Sequence, residues 1–170
     1  MSELLIGCGN SRRKPLKFEG STDVWNDLTT LDIDPDCKPD VLHDLTVCPY
    51  PFADNQFDEI HAYEVLEHCG QQGDWRLFFR QFDEFWRILK PNGLFIATVP
   101  MWDSVWAWGD PGHSRVITKE TLIFLNQQEY ELQIGKTSMT DYRSVYKGNF
   151  HSCGVVEVEV SLGFALKAIK

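Results

Sequence analysis

Several groups of side chains have types and spacings that could do chemistry. Glu64, Glu67 and His68 stand at i, i+3 and i+4. A helix starting near Glu64 would place all three on one face. Two carboxylates and an imidazole are a ligand set for magnesium, manganese or zinc, and His113 in a later loop could complete it. The bland alternative is that Glu-His pairs on short helices cap, pair with arginine or hydrogen-bond the backbone. His113 and Arg115 follow a central apolar run, and an imidazole there could act as a base. Near the N-terminus, Gly7-Cys8-Gly9-Asn10-Ser11 follows the apolar run Leu4-Leu5-Ile6. Two acids, Asp32 and Asp44, each end a short apolar run.

The elements that must position these residues follow from periodicity. Leu4 to Ile6 reads as a buried parallel strand that delivers its C-terminal end to a ligand. Glycine lets the backbone turn sharply there and approach a bound molecule. Leu31-Asp32-Ile33-Asp34 ends a second strand, Leu28 to Ile33, about 20 residues on. An acid at that distance is the ribose-hydroxyl ligand of nucleotide-type folds. A dinucleotide fingerprint would need glycine where Arg12 stands. That argues against a bound pyrophosphate and a nicotinamide dehydrogenase, and leaves a nucleoside without phosphates, commonly S-adenosylmethionine.

The stretch from Arg12 to Asp27 carries Pro15 and Gly20 and predicts a loop or at most two helical turns. Six residues from Pro35 to Asp40 are too few for a parallel crossover helix, so the third strand, Val41 to His43, should be rudimentary. Phe57 to Ala62 is a strand and Glu64 to Cys69 a short helix. Asp74 caps a helix whose Trp75, Phe78, Phe79, Phe82, Phe85, Trp86 and Leu89 form a core stripe. Leu94 to Val99 is a central strand, and Met101 to Arg115 a loop with Trp102, Trp106 and Trp108, either an acceptor wall or simple packing. Thr118 caps a helix through about Gln127. Val155 to Val160 and Phe164 to Ile169 form a hairpin turned at Gly163. The fold class is α/β: a Rossmann-like, mostly parallel sheet of about six or seven strands, with a C-terminal antiparallel hairpin and helices reduced around the second and third strands.

The 170 residues suit one domain, 1–170, with a real core. A hydrophobic content of 43% excludes a disordered chain. No apolar run approaches the roughly 20 residues of a membrane span. The first strand starts too early for a signal peptide, and five cysteines without a C-x-x-C pair fit a reducing, cytoplasmic setting and argue against a cysteine zinc site. A net charge of −9 argues against polynucleotide partners; Arg12-Arg13-Lys14 reads as a solvated turn.

Taken in order, these motifs resemble class I S-adenosylmethionine-dependent methyltransferases of the type 11 kind, in a small reduced subset. The resemblance rests on Leu5-Ile6-Gly7-Cys8-Gly9, Leu31-Asp32-Ile33-Asp34, Asp44-Leu45, the run from Pro51 to Asp58, Glu64-Val65-Leu66-Glu67-His68, and the run from Arg87 to Gly93. It implies S-adenosylmethionine as cofactor and methyl transfer to a hydroxyl or amine of a small molecule or sugar. It implies that Gly7, Gly9 and Asn10 flank the methionine part. Asp32 would take the ribose hydroxyls, with Ile33 packing on adenine. Asp44 would accept from the adenine amino group and Leu45 cover the ring, while Ala62 and Tyr63 lie near the methionine amine. Ser11 departs from the pattern, standing where many members have a third glycine. Glu-x-x-Glu-His is similar to the metal motif of small-RNA 3′-end 2′-O-methyltransferases and of ubiquinone-pathway O-methyltransferases, which implies a divalent ion on Glu64, Glu67, His68 and His113. His113 and Arg115 are then the acceptor-side catalytic candidates, with Tyr142 and Arg143 behind them. The reduced helices leave a second reading open, a cofactor-binding module without catalysis.

Overall fold

The computed structural model describes residues 1–16, 18 and 24–170. Its strands are β1 (Ser2–Ile6), β2 (Asp27–Asp32), β3 (Val41–Leu42), β4 (Phe57–Tyr63), β5 (Leu89–Pro100), β6 (Phe150–Val158) and β7 (Ser161–Ala168). They form one sheet in the order β3-β2-β1-β4-β5-β7-β6. The first five run parallel, and β7 lies antiparallel to both β5 and β6. Ile6 pairs with both Leu31 and Ala62, and Ala62 with Ala97, so the C-terminal ends of the parallel strands share one edge. The strand order reverses between β1 and β4. In open parallel sheets that reversal opens a crevice for a ligand.

The thin layer around β2 and β3 is as the spacing predicts. Between Asp34 and Val41 the chain makes one 3-10 turn, Pro35–Cys37, and β3 is two residues long. Between Gly9 and Asp27 no helix forms among the described residues; Gly20 and the rest of 19–23, with Lys17, lie outside them. A strap formed by residues 12–16, which is not helical, lies over that face of the sheet instead. Lys14 buries its ammonium between Glu3 (2.5 Å) and Glu59 (3.2 Å), which pair in register on β1 and β4. Leu16 packs with Ile96 and Ala165. A Cβ on Gly163 would stand 2.9 Å from Leu16 Cδ1. That explains one correction: Gly163 lies inside β7, where the strap crosses closely. The hairpin turns at Glu159, whose φ is +54°.

Helix α1 (Trp75–Ile88) covers the other face, with Asp74 capping the Leu77 amide. Phe78, Phe79, Phe82 and Phe85 are buried against Phe95, Phe150 and Phe164. Each such ring contributes about 1.5–3 kcal/mol of burial. Strand β5 begins at Leu89, five residues earlier than expected, because a bulge over Lys90 to Gly93 keeps the chain paired to β4. The loop from Met101 holds a short helix, α2 (Val105–Gly109). The helix capped by Thr118 ends early, as α3 (Lys119–Ile123); Asn126 then caps α4 (Gln127–Gln133). Among the described residues no helix is long and apolar enough to cross a membrane.

Candidate functional site

The reversal between β1 and β4 brings two loops together. Gly7 and Gly9 hold φ of +58° and +46°, a left-handed backbone that favours glycine. A Cβ on Gly7 would come within 2.2 Å of Val65 Cγ2, so the loop after β4 presses directly on the loop after β1. At Gly9 nothing lies within 4 Å of such a Cβ, so that face of the loop is open. Asp32, 8% exposed, anchors the loop from below. One carboxylate oxygen accepts from the Gly9 amide at 2.8 Å and the other from the Asp34 amide at 3.0 Å.

Next to this lies a cavity of about 130 Å³ whose lining includes Gly7, Asp32, Ile33, Asp44, Leu45, Val65 and His68. Ile33 is 63% exposed, an apolar side chain open to cover by a flat ring. Asp44 folds an Asx turn, accepting from the amide and hydroxyl of Thr46 at 2.8 Å. Carboxylates for hydroxyl and amino donors, apolar cover, and an open glycine loop together fit a nucleoside joined to an amino acid. The volume is below the roughly 300–1,000 Å³ of ordinary ligand pockets. Among the described residues no helix before or after β2 closes over the rest of such a ligand.

Five of the expected cofactor residues share this cavity: Gly7, Asp32, Ile33, Asp44 and Leu45. Gly9 joins it through Asp32, and Asn10 is exposed beside it. Ala62 and Tyr63 stand elsewhere. Ala62 is fully buried in the sheet. The Tyr63 hydroxyl meets His61 Nδ1 at 2.7 Å, on the face beneath the strap. His43, Val65 and His68 line the cavity without having been expected there. Adjacency in sequence to Asp44 and Glu64 was the only available signal.

The acidic cluster assembles differently from a helical face. Glu64 has φ +52°, and its amide still donates to Thr98 O at 3.0 Å, so the chain has not yet left the sheet. The helix is one 3-10 turn, Leu66–His68. Glu64 is exposed and outside the cluster, which comprises Glu67, His68 and His113, with one ligand atom from each within 4.8 Å of the others. Glu67 is 2% exposed, and neither carboxylate oxygen has a hydrogen-bond partner among the described residues. Burial pushes its pKa up to about 8. His113 Nε2 lies 3.9 Å from Glu67 Oε1 and 3.8 Å from Asp110 Oδ2. His113 Nδ1 contacts Trp106 O at 2.8 Å, and His68 Nδ1 contacts Gly112 O at 3.1 Å. A carbonyl can only accept, so each Nδ1 carries the proton and each Nε2 keeps a lone pair in the neutral ring.

Arg115 does not join this group. Its guanidinium donates to Gln71 O, Asp74 O and Gln81 Oε1 and lines a second cavity. Arg143 pairs with Asp141 at 2.7 Å. Trp102, Trp106 and Trp108 are 59–71% exposed around α2 rather than packed on the sheet edge.

Residues 4–97 match the family model Methyltransf_11, described as a methyltransferase domain. No curated protein matches the chain. Among solved structures, a S-adenosylmethionine-dependent methyltransferase from Archaeoglobus fulgidus aligns with a TM-score of 0.58 at 15% identity, over 98% of this chain and 85% of that one. The N-methyltransferase NodS from Bradyrhizobium japonicum, bound to S-adenosyl-L-homocysteine, aligns at 0.57 and 15%, over 99% and 78%. The 1,6-didemethyltoxoflavin-N1-methyltransferase from Burkholderia thailandensis, with its acceptor and S-adenosylhomocysteine bound, aligns at 0.57 and 13%, over 99% and 71%. With the family match spanning more than half of its length, the chain belongs to the type 11 family of S-adenosylmethionine-dependent methyltransferase domains.

Proposed function

We propose that residues 1–170 form one domain that transfers the methyl group of S-adenosylmethionine to a hydroxyl or amine of a small molecule. The observation that carries this is His113. Its Nε2 lone pair is directed by the Nδ1 contact to Trp106 O, and it stands beside the unpartnered Glu67. His68 links the two regions, because it lines the cofactor cavity and its ring lies 4.6 Å from that of His113. S-adenosylmethionine supplies an electrophilic methyl on sulfur. Gly7, Asp32 and Asp44 hold the donor's polar groups, and Ile33 and Leu45 cover its base. His113 accepts the acceptor's proton, and Asp110, 3.8 Å from its Nε2, favours the imidazolium that forms. The net charge of −9 and the small-molecule acceptor in the Burkholderia structure support a small acceptor over a polynucleotide. Methyl-transfer assays over a panel of hydroxyl and amine acceptors test this. His113→Ala should lower the rate by about 10²–10⁴-fold with S-adenosylhomocysteine binding intact; binding without turnover on any acceptor would favour the non-catalytic module.

Glu67 also favours a metal-assisted reading. A buried carboxylate with two unpartnered oxygens, beside two imidazoles with free Nε2 atoms, is a donor set for a divalent ion. Backbone carbonyls on both Nδ1 atoms are the partners that ligating histidines usually have. Glu67, His68 and His113 would hold the ion, without Glu64, and it would raise the acidity of an acceptor hydroxyl. Activity lost to a chelator and restored by manganese supports this reading. Activity indifferent to a chelator leaves His113 as the base.

A further inference from the structure

A second cavity, of about 190 Å³, lies between the N-terminal turn of α1 and the segment from Arg115 to Phe124. Its walls carry rings from Trp75, Phe78, Phe79, Phe124 and Tyr142. The Tyr142 ring lies 4.8 Å from Phe79, 5.3 Å from Trp75 and 5.8 Å from Phe124. An apolar cavity of about 150 Å³ is enough to take up benzene. Gln72, Asp74, Thr121 and Arg115 are the polar residues of the otherwise apolar and aromatic lining, and Arg115 is its cation. Arg115 is 7% exposed, sits over the Phe78 ring at 5.4 Å, and has no carboxylate within ion-pair distance among the described residues. Three of a guanidinium's five N–H donors are taken, by Gln71 O, Asp74 O and Gln81 Oε1. The carboxylate in the lining, Asp74, caps the Leu77 amide and favours the charged guanidinium from beyond ion-pair distance. Gly70, with φ +83°, lies against the arginine: a Cβ there would stand 2.8 Å from Leu77 Cδ2 and 2.9 Å from Arg115 Nη2.

A cation buried in a largely aromatic wall, with no carboxylate within ion-pair distance among the described residues, favours an anion that reaches it. We propose that this cavity binds an aromatic carboxylate, with the ring among Trp75, Phe79 and Tyr142 and the carboxylate on the spare Arg115 donors. The Tyr142 hydroxyl, which has no partner among the described residues, is a further donor at the same wall. The site shares no lining residue with the cofactor cavity, so the inference stands independently of the methyl-transfer reading.

Benzoate and benzamide are the probes, since they differ in charge but hardly in shape. Nitrogen-15 NMR of the full chain, with the Trp75 indole assigned through Trp75→Phe, follows each titration. Benzoate should shift the Trp75 indole and bind at least tenfold more tightly than benzamide. Val116→Phe, which fills the cavity and leaves Arg115 in place, should abolish the shift while S-adenosylhomocysteine still binds. Arg115→Gln, if folded, should bring benzoate down to the affinity of benzamide. Equal binding of the two probes to the wild-type chain overturns the proposal. So do shifts confined to the exposed Trp102, Trp106 and Trp108, or unchanged benzoate binding in Val116→Phe.

Discussion

Glu67 carries the sharpest expectation of any single residue. Its carboxyl pKa is raised by burial from 4.5 to about 8. Below pH 4.5 the folded and unfolded chains both hold the proton. Between 4.5 and 8 only the folded chain does, so folding stability must fall as pH rises through that window and level off above it. The shift caps the loss at about 4–5 kcal/mol. Glu67→Gln keeps the shape without the charge and should flatten the profile. Urea denaturation in chelator, at pH 5 and pH 8.5, checks this; a wild-type chain as stable at 8.5 as at 5 contradicts it. The type and position of Glu67 were legible from its spacing to His68, whereas the company it keeps was not. A helical i, i+3, i+4 face presumes that the helix starts at Glu64, and the Glu64 amide is still bonded across the sheet to Thr98. Only the sheet's register shows that.

At the scale of elements, the loops after β1 and β4 behave as one unit because Gly7 and Val65 interlock. Gly7→Ala meets two costs, a left-handed φ and a Cβ 2.2 Å from Val65 Cγ2. It should destabilise the chain by about 1–3 kcal/mol. Adding Val65→Ala should recover the packing part and leave the backbone part. Full recovery, or none, in a thermal-melt double-mutant cycle contradicts this division. The strap is a second unit. Lys14→Met leaves Glu3 and Glu59 facing each other in register, both buried. The expected loss is about 3–5 kcal/mol, the cost of stranding buried charge; an unchanged unfolding midpoint sinks it. The sequence made the thin layer of the described residues readable, through Pro15 and the six-residue gap before Val41. It did not reveal the strap, because a lysine bridging two glutamates across strands has no local periodicity. The same holds for Gly163, which looks like a turn residue and is a crossing point.

At the scale of the molecule, the mostly parallel sheet and its antiparallel C-terminal pair were legible because each short apolar run ends in a turn or a cap; the strand order was not, since periodicity does not say which strands pair. The cavity at the β1–β4 reversal follows from that topology. Its residues come from the ends of four strands; those ends were visible in the sequence, but not which face each side chain takes. The central claim is that the donor sits on this edge, held by Asp32. Titrating S-adenosylhomocysteine into the wild-type chain and Asp32→Ala by calorimetry tests it most directly. The account predicts one site per chain, weakened by about 1–3 kcal/mol when the ribose hydroxyls lose their charged acceptor, in a variant that remains folded. Equal affinity in the two folded proteins, or no binding to the wild-type chain, would contradict it.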